Sequence, residues 1–69
     1  NKKIYPVQYK LKTILRKEGI SQGMLSDWTA YSYGTLNQKI NGRLELTSLD
    51  KKMIRDVFWG KYSESDLFE

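Results

Sequence analysis

Few side chains in this sequence could carry out covalent chemistry. The 69 residues include no Cys and no His, which removes thiol nucleophiles, imidazole bases and the commonest transition-metal ligands. Ser26, Asp27 and Ser32 have no base partner, and no carboxylate pair or metal-ligand spacing is present. We therefore expect no enzyme, no metal ion, no cofactor and no small-molecule substrate.

Two serine hydroxyls are instead placed to start helices. Ser21 can accept a hydrogen bond from an unpaired amide at the start of a helix from Gln22 to Thr29. Ser32 can do the same for a second helix, from Tyr33 to Asn41, and Gly42 follows where a helix end favours a left-handed residue. The segment 21–42 therefore predicts two short helices joined by a tight turn.

The apolar residues divide in the same way. Each helix has a pair of them at helical spacing: Leu25 with Trp28, and Leu36 with Ile40. We expect Trp28 in the core, Ser26 at a close crossing of the two helices, and Ala30 and Tyr31 in the turn. The alternative interpretation is an unrelated helical hairpin within a small bundle.

At these positions the segment resembles the Cro and lambda-type repressor family of phage and bacterial transcriptional regulators. The matching residues, without a gap, are Gln22, Leu25, Ser32, Thr35, Leu36, Asn41 and Gly42. Ser26 stands in place of the family's usual Ala, and Ala30 in place of its turn Gly. The resemblance implies one all-α domain over residues 1–69, a compact lambda-repressor-like DNA-binding domain of four or five helices.

The resemblance also implies which residues meet DNA. The second helix would enter the major groove, with base-facing residues at Tyr33, Gly34, Asn37 and Gln38. Phosphate contacts map to Gln22, Asn41 and the backbone near Gly42, and Lys39 and Arg43 are added on charge and position. The expected function is a sequence-specific regulator that binds a double-stranded operator, with a homodimer possible. Against this, no Arg lies on the second helix, and the amides could be ordinary exposed residues.

A second class of function is protein binding. Trp28, Tyr31 and Tyr33 cluster around the turn, and aromatic residues are enriched in interface hot spots. The chain could thus be a phage-type modulator, an antirepressor that binds another repressor's DNA-binding domain and blocks it. Leu67 and Phe68 either close the core or dock a partner, and the core is the favoured alternative.

Charge is unevenly distributed in a chain of net charge +4. Residues 1–20 carry six Lys or Arg against Glu18 alone, a net charge of +5, whereas residues 44–69 carry four against six acidic residues, a net charge of −2. The basic first third could lie along phosphates, or form a solvated helix face. No apolar run approaches the ~20 residues of a membrane span, and the start lacks the apolar core of a signal peptide, so we expect a cytoplasmic protein without a membrane partner.

The remaining helices are predicted from caps and spacing. Pro6 opens a first helix that ends at Gly19, with an apolar face formed by Val7, Leu11, Ile14 and Leu15 and a polar face formed by Lys10, Lys12, Arg16 and Lys17. Thr47 and Asp50 resemble a capping box for a fourth helix that ends at Gly60. Its buried face would be Leu49, Met53, Val57 and Phe58, and Ser63 would start one further helical turn.

Overall fold

The computed structural model describes residues 5–69, so Lys2 and Lys3 of the basic first third lie outside it. Within residues 5–69 the chain is all-α and contains no β-strand, as predicted. The five helices are α1 (Tyr9–Glu18), α2 (Gln22–Thr29), α3 (Tyr33–Ile40), α4 (Ser48–Val57) and α5 (Glu64–Leu67). α2 packs against α3 and α4, and α5 packs against α1 and α4.

Side-chain caps explain where most of these helices begin. The Ser21 hydroxyl accepts from the Met24 amide at 3.1 Å, and the Ser32 hydroxyl accepts from the Thr35 amide at 3.2 Å, which confirms both predicted starts. Thr47 with Asp50 forms a reciprocal capping box, and Ser63 with Asp66 forms another.

The start of α1 differs from the prediction. Pro6 does not open the helix, which begins at Tyr9. The reason is tertiary, because the segment before α1 runs along the end of α3: the Tyr5 amide donates to the Gly42 carbonyl at 3.0 Å and the Gln8 amide donates to the Ile40 carbonyl at 2.8 Å. A Cβ on Gly42 would lie 2.2 Å from the Tyr5 carbonyl oxygen, and its φ of +82° also requires glycine.

The buried face of α4 also differs. Leu49 was expected in the core but is 64% exposed, and Met53 and Val57 are only half-buried. Ile54 and Phe58 are buried, and so is Asp50, whose carboxylate has partners on α3 and in the turn before it. α4 ends at Val57, before the predicted Gly60, which takes a positive φ in the turn that follows.

The core gathers apolar side chains from every helix: Leu11, Leu15, Leu25, Leu36, Ile40, Leu46, Ile54, Phe58, Leu67 and Phe68. Burial of Leu67 and Phe68 confirms their core interpretation and leaves neither available as a docking surface. Trp28 was expected in the core and is 53% exposed. On α2 the buried pair is Leu25 and Thr29, and Thr29 satisfies its hydroxyl by donating to the Leu25 carbonyl at 2.8 Å.

Candidate nucleic-acid interface

The turn between α2 and α3 is held by backbone conformation and by one side chain. Ala30 has a φ of +65°, the left-handed conformation that glycine adopts most readily. The Ser26 hydroxyl donates to the Tyr31 carbonyl across the turn. Ser26 is small and half-buried, and it lies where the two helices meet. These contacts fix the direction in which α3 leaves α2.

One face of α3 is open to solvent. Tyr33 is 55% exposed, and a Cβ on Gly34 would meet nothing within 4 Å. Gln38 is exposed, and its side-chain amide has no hydrogen-bond partner among residues 5–69. An amide in this state offers a donor and an acceptor together, the combination that pairs with the edge of adenine.

A row of polar side chains borders this face. The Lys12 ammonium on α1 donates to Asn41 Oδ1 at 2.8 Å, and Asn41 Nδ2 donates to Asn37 Oδ1 at 3.1 Å. Asn37 Nδ2 then donates to Gln22 Oε1 at 3.1 Å, at the first residue of α2. We call these four residues the amide row. It joins three helices, and every donor points the same way along it.

The direction of the amide row decides which groups are left for a ligand. Asn37 is half-buried, donates at one end and accepts at the other, so its amide is engaged within the protein. The row ends at Gln22, whose Nε2 has no acceptor within residues 5–69. This donor lies at the N-terminus of α2, where unpaired backbone amides and the helix dipole favour an anion.

Lys39 has a different position from the one expected for a phosphate contact. Its ammonium forms a 2.8 Å ion pair with Asp50, donates to the Glu45 carbonyl at 3.0 Å, and lies over the Tyr31 ring. The side chain is 14% exposed, so its charge is directed to the protein interior. Arg43, by contrast, is exposed in the loop directly after α3.

The electrostatics around Asp50 are those of a structural cluster. Burial alone would raise the pKa of this carboxyl, but hydrogen bonds from Lys39, Tyr31 and Thr47 outweigh burial and lower the pKa to about 2. The hydrogen bond to Asp50, together with burial, raises the pKa of Tyr31 to about 12. Both groups keep one charge state at neutral pH, and Tyr31 is half-buried here and not displayed as a docking residue.

Of the predicted site residues, the structure brings together Gln22, Asn37 and Asn41. It leaves four exposed to solvent: Tyr33, Gly34, Gln38 and Arg43. Lys39 instead pairs with Asp50, away from this face. Sequence reasoning missed Lys12 as a neighbour of Asn41, because no local pattern links residues that far apart in the chain.

Comparison with protein-family models, with characterised proteins and with solved structures gives no match. Within residues 5–69 no helix is both long and apolar enough to cross a bilayer.

Proposed function

We propose that this chain is a sequence-specific DNA-binding regulator with a lambda-repressor-like helix-turn-helix, in which α3 enters the major groove. The observation that carries the proposal is the amide row beside the open face of α3. Ordered amides that leave an outward donor at a helix N-terminus suit a phosphate, and the neighbouring exposed Gln38 suits a base edge.

Each residue then has a distinct role. Gln38 reads a base through its amide, Gly34 allows close approach, and Tyr33 meets a thymine methyl or a phosphate. Gln22 and Arg43 bind phosphates, whereas Asn37 and Asn41 position Gln22 through the amide row. Lys12 belongs to the same group, since its positive charge lies at the donor end of the row. The partner is double-stranded DNA.

The experiment begins with selection of binding sites from a pool of randomised duplexes, followed by fluorescence anisotropy on the selected and a scrambled duplex over a range of salt concentrations. Arg43→Ala should weaken binding to both duplexes and reduce the slope of log K against log salt by about 1. Gln38→Ala should relax preference at one base pair, at a cost of roughly 1–3 kcal/mol, with nonspecific affinity nearly intact.

The matched control is Lys52→Ala, which removes the same charge from an exposed position on α4, outside the proposed face. It should change the salt slope less than Arg43→Ala. A folded protein with no salt-dependent DNA binding at low ionic strength would contradict the proposal.

One observation favours a second candidate, in which the α3 face binds the DNA-binding domain of another repressor. Tyr33 is 55% exposed at the start of α3 and could serve as an aromatic anchor. In that case Tyr33→Ala would reduce partner affinity by about 2 kcal/mol or more, while Gln38→Ala would have little effect. Affinity of the purified chain for a repressor domain, in the absence of DNA affinity, would select this candidate.

A further inference from the structure

Lys12 lies at the donor end of the amide row, and its ammonium is held from two sides. It donates to Asn41 Oδ1 at 2.8 Å and lies 5.6 Å from the centroid of the Tyr9 ring. The Lys12 side chain is half-buried. An ammonium carries donors and no acceptor, so the amide atom of Asn41 that it contacts must be the oxygen.

The main chain of α3 fixes the orientation of Asn41 a second time. Asn41 Nδ2 donates to the Asn37 main-chain carbonyl at 2.9 Å as well as to Asn37 Oδ1 at 3.1 Å. A carbonyl only accepts, so it requires the same amide nitrogen that Lys12 turns towards α3. The Asn41 amide therefore cannot turn over without losing all of these hydrogen bonds.

The Asn37 amide is thereby engaged at both of its ends. Oδ1 accepts from Asn41, and Nδ2 donates to Gln22 at 3.1 Å. Asn37 and Gln38 are adjacent on α3, and each side-chain amide has the donor and the acceptor that pair with an adenine edge. Of the two, Gln38 has the side-chain amide without a partner within residues 5–69. The amide row thus withholds one of two neighbouring amides from a ligand.

The charge of Lys12 strengthens the amide row. A hydrogen bond from a charged donor is roughly twice as strong as a neutral one, and it polarises the amides that follow it. The other links of the row join two neutral amides each. The contact between Lys12 and Asn41 is thus the strongest link, and a substitution on α1 removes it without altering α3.

We propose that Lys12 is a specificity-determining residue: through Asn41 it keeps the Asn37 amide in the row, so that Gln38 reads its base pair without a second amide beside it. Lys12 contacts no base and acts by positioning Asn41. The inference rests on the proposed function, because it concerns the bases that α3 contacts.

The test repeats the selection from randomised duplexes with variants of Lys12. Lys12→Met removes the donor, and Lys12→Glu replaces it with an acceptor that competes for Asn41 Nδ2. Both should release Asn37 and gain a preference for adenine beside the base pair that Gln38 reads, of at least about fivefold. Lys12→Arg keeps a donor and should keep the wild-type preference. So should Lys17→Met, which removes a charge from an exposed position on the same helix.

Asn37→Ala identifies the source of the new preference. In the wild-type background it should weaken binding to all duplexes alike, and combined with Lys12→Met it should abolish the preference gained. An unchanged base preference in both Lys12→Met and Lys12→Glu would overturn the proposal. A salt slope lower by about 1 in these variants would then assign Lys12 to a phosphate contact instead.

The engagement of Asn37 is also measured without DNA. In the free, isotope-labelled chain the side-chain NH2 signals of Asn37 should shift and exchange faster with water in Lys12→Met, but not in Lys12→Arg or Lys17→Met. Unchanged signals in Lys12→Met would overturn the inference whether or not the chain binds DNA. A wild-type chain that selects no duplex contradicts the proposed function and this inference with it. Selection of the same site by the wild-type chain and by the Lys12 variants contradicts this inference alone.

Discussion

Asp50 joins three segments of the chain through one carboxylate. Oδ1 accepts from the Tyr31 hydroxyl in the α2–α3 turn, and Oδ2 accepts from Lys39 at 2.8 Å and from the Thr47 amide at 2.9 Å. The carboxylate therefore ties α3 and the turn to the start of α4. An ion pair this buried is costly to break, because the remaining partner keeps its charge without compensation.

The pH dependence of stability should follow from this cluster. Because the folded pKa of Asp50 is lowered to about 2, its contribution is present above about pH 4 and is lost as the pH falls towards 2. The pKa of Tyr31 is raised to about 12, so the contribution of the neutral phenol is present below about pH 10 and is lost as the pH rises towards 12. The free energy of unfolding, measured with urea at each pH, should be constant between about pH 4 and pH 10 and should fall on either side of that range.

Asp50→Asn is the variant that tests this interpretation. It should lower the free energy of unfolding at neutral pH by on the order of 2 kcal/mol. It should also reduce the further loss of that free energy as the pH falls below about 4. Asp27→Asn removes an exposed carboxylate on α2, outside this cluster, and serves as the control. Equal acid profiles for the two variants would contradict a dominant role for Asp50.

Ala30 holds a backbone conformation that suits glycine better than alanine. Its φ of +65° is unfavourable for any residue with a Cβ, so Ala30→Gly should stabilise the fold by up to about 1 kcal/mol. The greater conformational entropy of glycine in the unfolded chain reduces this gain. Ala30→Val should destabilise it, because a β-branched residue tolerates this conformation least. Thermal unfolding of both variants checks the two directions, and a loss of stability in Ala30→Gly would contradict the argument.

At the scale of elements, α3 is held by its inner face. Leu36 and Ile40 are fully buried, so Leu36→Ala or Ile40→Ala should each cost roughly 2–5 kcal/mol by leaving a cavity. Gln38→Ala on the outer face of the same helix should change stability by less than about 0.5 kcal/mol. Chemical denaturation followed by circular dichroism measures both, and similar losses from inner and outer changes would show that the faces of α3 are misassigned.

The helices also show which features a sequence can predict. Caps act over three residues, so Ser21, Ser32 and Thr47 were identified correctly from the sequence alone. The buried face of α4 was predicted correctly at Phe58 and wrongly at Leu49, because its neighbour Asp50 is buried instead, through partners 11 and 19 residues away. Trp28 was wrongly predicted to lie in the core. The neighbouring Thr29 is buried instead, and its hydroxyl is satisfied there because it donates to the Leu25 carbonyl within the same helix.

The proposed site was predictable to a similar degree. Exposure of Gln38 and Arg43 agrees with the expectation from spacing and position. The amide row was not predictable, since its first link joins Lys12 to a residue 29 positions later. The ion pair of Lys39 was not predictable either, because its partner Asp50 lies on a different helix.

At the scale of the whole molecule, two surfaces are built from different residues. The proposed DNA-binding face uses α3 with the start of α2 and Lys12 of α1, whereas a mainly apolar groove of about 580 Å³ lies between the ends of α1, α2 and α4. α1 and α2 thus contribute to both. A change at either surface can then be studied without altering residues of the other.

The crossing of residues 5–8 over the end of α3 has a consequence for the order of folding. Tyr5 and Gly42 are far apart in sequence, whereas α2 and α3 adjoin, so the helix pair can form at a smaller loop-closure cost than the crossing. We expect the crossing to form after the rate-limiting barrier. In stopped-flow chevron measurements Gly42→Ala should accelerate unfolding and leave refolding nearly unchanged, whereas Gly34→Ala, with open space for its Cβ, should not accelerate unfolding. Slower refolding of Gly42→Ala would place the crossing within the transition state.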